Sequence, residues 1–168
     1  MTRNFLWRAM ALPILGFSPG VVLAQSHHHG MAEVSMVLSA DGAVSLVLEI
    51  PAGDVLGFER APANESEEAA LDAVFAQLSD PLAVFEFPTT ASCAVVSSES
   101  SLETEGDHAE LAAAYLLQCG NASAFDTFGA GGLLGAFPGV TEVELSALVN
   151  GRAVQAELSL SSPVINLR

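Results

Sequence analysis

Three consecutive histidines, His27, His28 and His29, are the residues of this chain with the clearest capacity for chemistry. An unperturbed imidazole titrates near pH ~6.5, so at neutral pH most of these rings carry a free lone pair able to coordinate a metal ion. If the strand that follows extends back through them, His27, His29, Met31 and Glu33 share one face. Imidazoles at i and i+2 on a strand then stand roughly 7 Å apart at Cα, close enough to share an ion.

The fourth histidine, His108, has comparable company. It shares the outward face of its expected strand with Glu110 and follows an acidic link that holds Glu99, Glu103, Glu105 and Asp107. Zinc takes four ligands from imidazole, thiolate and carboxylate. His27, His28 and His29 with Asp107, His108 and Glu110 form the candidate metal set, provided the two strand starts lie together. A more local site is also open. If the mature chain starts at Gln25, its free amine, two backbone nitrogens and the His27 imidazole make a square-planar site suited to Cu(II) or Ni(II).

Nothing in the sequence matches a catalytic motif. There is no phosphate loop, no Gly-x-Ser-x-Gly elbow and no Cys-x-x-Cys. The reading is therefore non-enzymatic, with a metal-free structural or protein-interaction domain as the contrasting alternative. In that alternative the sheet edges or the Gly-rich segment 129–135 would make the contact.

The elements that must position these residues follow from periodicity. Val34, Met36 and Leu38, then Val44, Leu46, Leu48 and Ile50, alternate about the turn Asp41-Gly42 and predict a hairpin. Asn64 with Glu67 three residues on has the spacing of a capping box. Leu71, Val74, Phe75 and Leu78 then repeat at helical spacing until Ser79-Asp80-Pro81. Cys93 and Val95 begin a second strand pair, with 97–106 as a polar link, and Ala109 to Cys119 alternates through a long return strand. Leu133, Leu134 and Phe137 fit a short helix. Val143 to Val149 and Val154 to Leu160, about Asn150-Gly151, make the last hairpin. The expected fold is α+β, a mainly antiparallel sheet built from hairpins and covered on one face by one clear and one short helix.

A turn near 105 or 106 places Cys93 almost opposite Cys119, both toward the apolar side. That geometry suits a disulfide better than a pair of thiolate ligands. Disulfides belong to oxidising compartments, and the amino terminus agrees. Arg3 and Arg8 precede an apolar run that closes on Val22-Leu23-Ala24, the pattern of a secretory signal peptide over residues 1–24. Pro13, Gly16, Pro19 and Gly20 interrupt that run too often for a good membrane span. Residues 25–168 are expected to form one exported, soluble domain.

Charge limits its partners. Beyond residue 24 only Arg60, Arg152 and Arg168 stand against 20 carboxylates, a formal charge of −17, and the chain contains no lysine. Such a field repels phosphate backbones and anionic membranes and attracts cations. Apolar residues make up 51% of the chain, which opposes disorder.

Several segments together resemble the ZrgA-like family of zinc-regulated periplasmic proteins of Gram-negative bacteria. They are His27-His28-His29-Gly30-Met31-Ala32-Glu33-Val34 with Ala40-Asp41-Gly42, Leu46-Val47-Leu48-Glu49-Ile50-Pro51, and Asp54-Val55-Leu56-Gly57-Phe58-Glu59-Arg60-Ala61-Pro62. Cys93, Tyr115 to Cys119, and Phe137-Pro138-Gly139-Val140 continue the likeness in order across nearly all of the mature chain. The resemblance implies a periplasmic zinc-binding protein of zinc acquisition or homeostasis, whose partners are the divalent ion and a periplasmic zinc-uptake component. Family members often carry a long His/Asp-rich stretch between the two central strands. Here 99–110 is short and holds only His108, which points to a single or weak site rather than a high-capacity buffer.

Mass spectrometry of the exported protein is expected to find the chain starting at Gln25. A pyroglutamate at that residue would block the amine and remove the Cu(II) or Ni(II) site.

Overall fold

A computed structural model describes residues 29–106 and 108–168. The first hairpin pairs β1 (Met31–Leu38) with β2 (Ala43–Pro51), and α1 (Ala52–Leu56) follows at once. Next come α2 (Glu65–Leu78), α3 (Pro81–Val84), β3 (Cys93–Glu105) and β4 (His108–Cys119). The chain closes with β5 (Thr127–Gly129), α4 (Gly131–Ala136), β6 (Glu142–Val149), β7 (Arg152–Leu158) and β8 (Val164–Asn166). The architecture is α+β with the sheet dominant.

Six strands form one sheet in the order β3-β4-β2-β1-β6-β7, while β5 and β8 pair separately. Every pairing in the large sheet is antiparallel except β1 with β6, which run parallel. Alternation dictates which face is buried. Val34, Met36 and Leu38 of β1, Leu46, Leu48 and Ile50 of β2, and Leu111, Tyr115 and Leu117 of β4 all point into the core. Val74 and Leu78 of α2, Leu133 and Leu134 of α4, and the rings of Phe85 and Phe128 cover them. Phe85 stacks on Phe128 with ring centroids 5.3 Å apart and meets Tyr115 edge-on at 6.1 Å. The Tyr115 hydroxyl donates to the Leu78 carbonyl (2.9 Å), tying the last turn of α2 to β4. Burial pushes that phenol's pKa above its ordinary value.

The structure departs from the sequence reading in three places. The segment 97–106, expected as a polar link, is β-strand as far as Glu105, with the turn at Gly106. The long strand β4 offers hydrogen-bonding partners along its whole length, so Ser97 to Glu105 pair with it despite their polarity. An edge strand faces solvent on one side, and carboxylates plus a bulge between Val95 and Ser97 fit that position. Second, the first and last hairpins are joined side by side by the parallel pairing of β1 and β6. Third, β1 does not extend back through His29. The chain turns at Gly30, whose φ of +82° lies in the left-handed region that favours glycine. The expected sharing of one strand face by His29, Met31 and Glu33 is therefore lost.

Cys93 and Cys119 are direct partners across β3 and β4 and form the disulfide, closing a separation of 26 residues. A loop of that size confines the unfolded chain. The double substitution C93S/C119S is expected to lower the free energy of unfolding by roughly 2–4 kcal/mol, measured by denaturant titration.

Candidate metal centre

Sheet order explains what meets at one end of the molecule. β2 lies between β1 and β4 and is antiparallel to both, so the starts of those two strands flank its end. Glu33 pairs with Glu49, and Glu110 pairs with Pro51. His29 precedes the start of β1, and His108 opens β4. Strands on either side of a third are about 10 Å apart, too far for two imidazoles to touch without help. The chain leaving β2 supplies that help through Asp54 and Glu59.

Asp54 sits in the first turn of α1. Its Oδ2 accepts a hydrogen bond from the Gly30 N–H at 2.6 Å, and its Oδ1 lies 3.4 Å from His29 Nδ1. The Gly30 carbonyl in turn accepts from the backbone N–H groups of Thr141 (2.8 Å) and Glu142 (3.0 Å) and from the Thr141 hydroxyl (3.1 Å). The turn that delivers His29 is thus fastened on both sides. Gly57 in the left-handed conformation ends α1 and swings the chain back toward β4. Glu59 then reaches between the two histidines, with Oε1 at 3.6 Å from His29 Nδ1 and Oε2 at 3.1 Å from His108 Nδ1. Gly53 leaves the room for it, since a Cβ there would stand 2.8 Å from Glu59 Oε1.

The carboxylates are the sheltered half of this group and the imidazoles the open half. The Asp54 and Glu59 side chains are 10% and 24% exposed, those of His29 and His108 75% and 81%. Among the described residues, no three His, Cys, Asp or Glu side chains are gathered tightly enough to hold an ion as they stand. The four donors are linked in pairs. Ligands about 2.0–2.1 Å from a tetrahedral ion lie roughly 3.3 Å from one another. Contacts of 3.1, 3.4 and 3.6 Å are already near that edge length.

Of the residues singled out from sequence, His29 and His108 both reach Glu59. Glu110 is half-buried on β4, on the same outward side as His108 and opposite Glu103 of β3. His27, His28 and Asp107 lie outside the described residues. Asp54 and Glu59 are donors that the sequence reading missed. Their one sequence signal is the segment 54–62, which carries the family likeness but contains no histidine.

Charge in the neighbourhood is one-sided. Glu49, Glu33, Glu144 and Glu157 follow one another in register across β2, β1, β6 and β7 on the outward face. Arg60 is the formal cation adjoining the donors in sequence, and it is engaged elsewhere. Its two terminal nitrogens bind the Glu67 carboxylate at 2.6 and 3.0 Å, Nη1 also donates to the Ala61 carbonyl, and the guanidinium lies 5.1 Å from the Phe58 ring centroid. Glu67 also accepts the Ala63 N–H at 2.8 Å, while Asn64 accepts the Glu67 N–H at 3.0 Å as the cap of α2.

A family model described as "ZrgA family zinc uptake protein" matches residues 26–167. No curated protein matches the chain.

Hydrogen bonds from Arg60, and then from the Ala63 N–H, hold the Glu67 carboxyl down to about 2, against an ordinary 4.5. A folded value below the unfolded one stabilises fully above the unfolded pKa and is lost as pH falls through about 2. Because the pair is solvent-exposed, that contribution is small. A carbon-detected NMR titration is expected to find Glu67 ionised well below pH 4, and R60Q is expected to return its midpoint toward the ordinary carboxylate range.

Proposed function

The chain belongs to the ZrgA family of zinc uptake proteins, and on that premise we propose that it binds a single zinc ion between His29 and His108, with Glu59 and Asp54 completing the sphere. The observation that carries this reading is Glu59, whose two oxygens face the two imidazoles at 3.6 and 3.1 Å. Two imidazole nitrogens and two carboxylate oxygens are a ligand set that zinc accepts in four-coordinate geometry. Soft thiolate ligation has no source here, since Cys93 and Cys119 are joined to each other. The outward row of glutamates supplies a negative field that raises the local concentration of cations. Glu110, on the same strand face as His108, and His27, His28 and Asp107, which adjoin the two histidines in sequence, are the proposed outer donors through which the ion enters.

Zinc in this reading is cargo. The family is one of uptake proteins rather than enzymes, and the donors are mobilised from paired contacts rather than preset around an ion. No helix among the described residues is long and apolar enough to cross a membrane. The proposed setting is the periplasm, entered through the signal peptide at 1–24, where the protein captures zinc and passes it to a component of the uptake system.

Titration of the mature protein with zinc by calorimetry is expected to saturate near one equivalent, with release of any protons that the donors held. H29A, H108A and E59Q are each expected to weaken binding by about tenfold to a hundredfold. Binding that survives intact in H29A/H108A would move the ion to the 27–28 segment and end the shared-site reading.

A further inference from the structure

The proposed zinc site requires that Glu59 stay unneutralised, although an arginine is its neighbour in the chain. Three arginines occur among the described residues, and each is committed. Arg168 pairs with Asp126 at 2.6 Å, Arg152 donates to the Leu167 carbonyl, and Arg60 pairs with Glu67. The last of these matters for the site. An unrestrained Arg60 has the charge and the fork geometry to grip a carboxylate bidentately. The nearest competitor for that grip along the chain is Glu59.

The Glu67 side chain does more than its sequence pattern calls for. In a capping box the carboxylate at the third helical position turns back to the cap residue's own amide. Here it takes the Ala63 N–H one residue earlier and both terminal nitrogens of Arg60. The Phe58 face and the Ala61 carbonyl hold the same guanidinium. The start of α2 is therefore a dock for the one cation that adjoins the donors.

We infer that Glu67 is a positioning residue for the zinc site: by holding Arg60 against the first turn of α2, it keeps the arginine from occupying Glu59 and so leaves that carboxylate available to the metal. This inference rests on the zinc reading above and specifies how its affinity is protected. Zinc contacts neither Arg60 nor Glu67. The effect is competition removed, a form of negative control that a list of ligands would not reveal.

The test is a cycle of three variants in the mature, disulfide-bonded protein, using zinc alone as ligand. E67Q is expected to weaken zinc binding by roughly threefold to tenfold, the scale of a partly exposed ion pair that the metal must displace. R60Q is expected to bind within about twofold of the parent, and R60Q/E67Q to recover the same affinity. That recovery separates the inference from simple damage to α2, because removing a second helix-start contact would not repair a distorted site. A metal-free readout accompanies it: the Glu59 carboxyl carbon resonance is expected to move in E67Q and to return in the double variant. Unchanged zinc affinity in E67Q, a double variant as weak as E67Q, or a Glu59 resonance indifferent to E67Q would each overturn the inference. If the parent protein binds zinc without need of His29 and His108, the zinc reading itself fails. The Glu59 resonance still reports separately whether Arg60 relocates.

Discussion

Antiparallel pairing on both sides of β2 is the constraint from which the rest of this structure follows. A strand with antiparallel neighbours on each flank gathers three chain segments at one end: its own exit and the two neighbouring entries. Here the exit is β2 into α1, carrying Asp54 and Glu59, and the entries are His29 before β1 and His108 at the start of β4. If β4 instead joined the sheet at its far edge, beside β7, His108 would lie several strands from His29 and Glu59 would bridge nothing. The core fixes the faces within that arrangement, because the buried alternation of β1, β2 and β4 turns all three the same way, toward α2 and α4.

The local chemistry then depends on two kinds of restraint. Gly30 is fixed by Asp54 on one side and accepts from Thr141 and Glu142 on the other, so the turn bearing His29 is held by both the β2 exit and the β6 entry. Arg60 is restrained too, its guanidinium held by Glu67 at the start of α2 and by the Phe58 ring. A domain with three arginines and 20 carboxylates beyond its amino-terminal segment attracts cations in general. What distinguishes Glu59 among the described carboxylates is a position between two imidazoles with no arginine paired to it. Glu67 and Asp126, by contrast, are each spent on an arginine.

On the proposed zinc reading, this arrangement suits a carrier better than a permanent structural metal site. A structural zinc centre is closed and buried. Here the imidazoles face solvent and the carboxylates lie beneath them, so an ion bound there would be reached from outside and would rest on charge supplied from within.

Much of this was determined by sequence alone. Period-two alternation specified both hairpins, the helical stripe from Leu71 to Leu78 specified α2, and the phase of Cys93 and Cys119 about a turn near 106 specified the disulfide. These are short-range signals, because each depends only on residues that are neighbours on one element. The four histidines were legible as candidate ligands for the same reason, residue type. The family likeness was also legible from short segments kept in order along the chain. Tertiary structure decided what periodicity does not encode: which strands are adjacent, that β1 and β6 run parallel, and that the polar stretch after Cys93 is drawn into the sheet by β4. It also decided the carboxylates. Asp54 and Glu59 are ordinary acids in a connecting segment until sheet order sets them between two histidines far apart in the chain. Spatial adjacency of that kind is a property of the closed fold, in which side-chain alternation assigns faces but not neighbours.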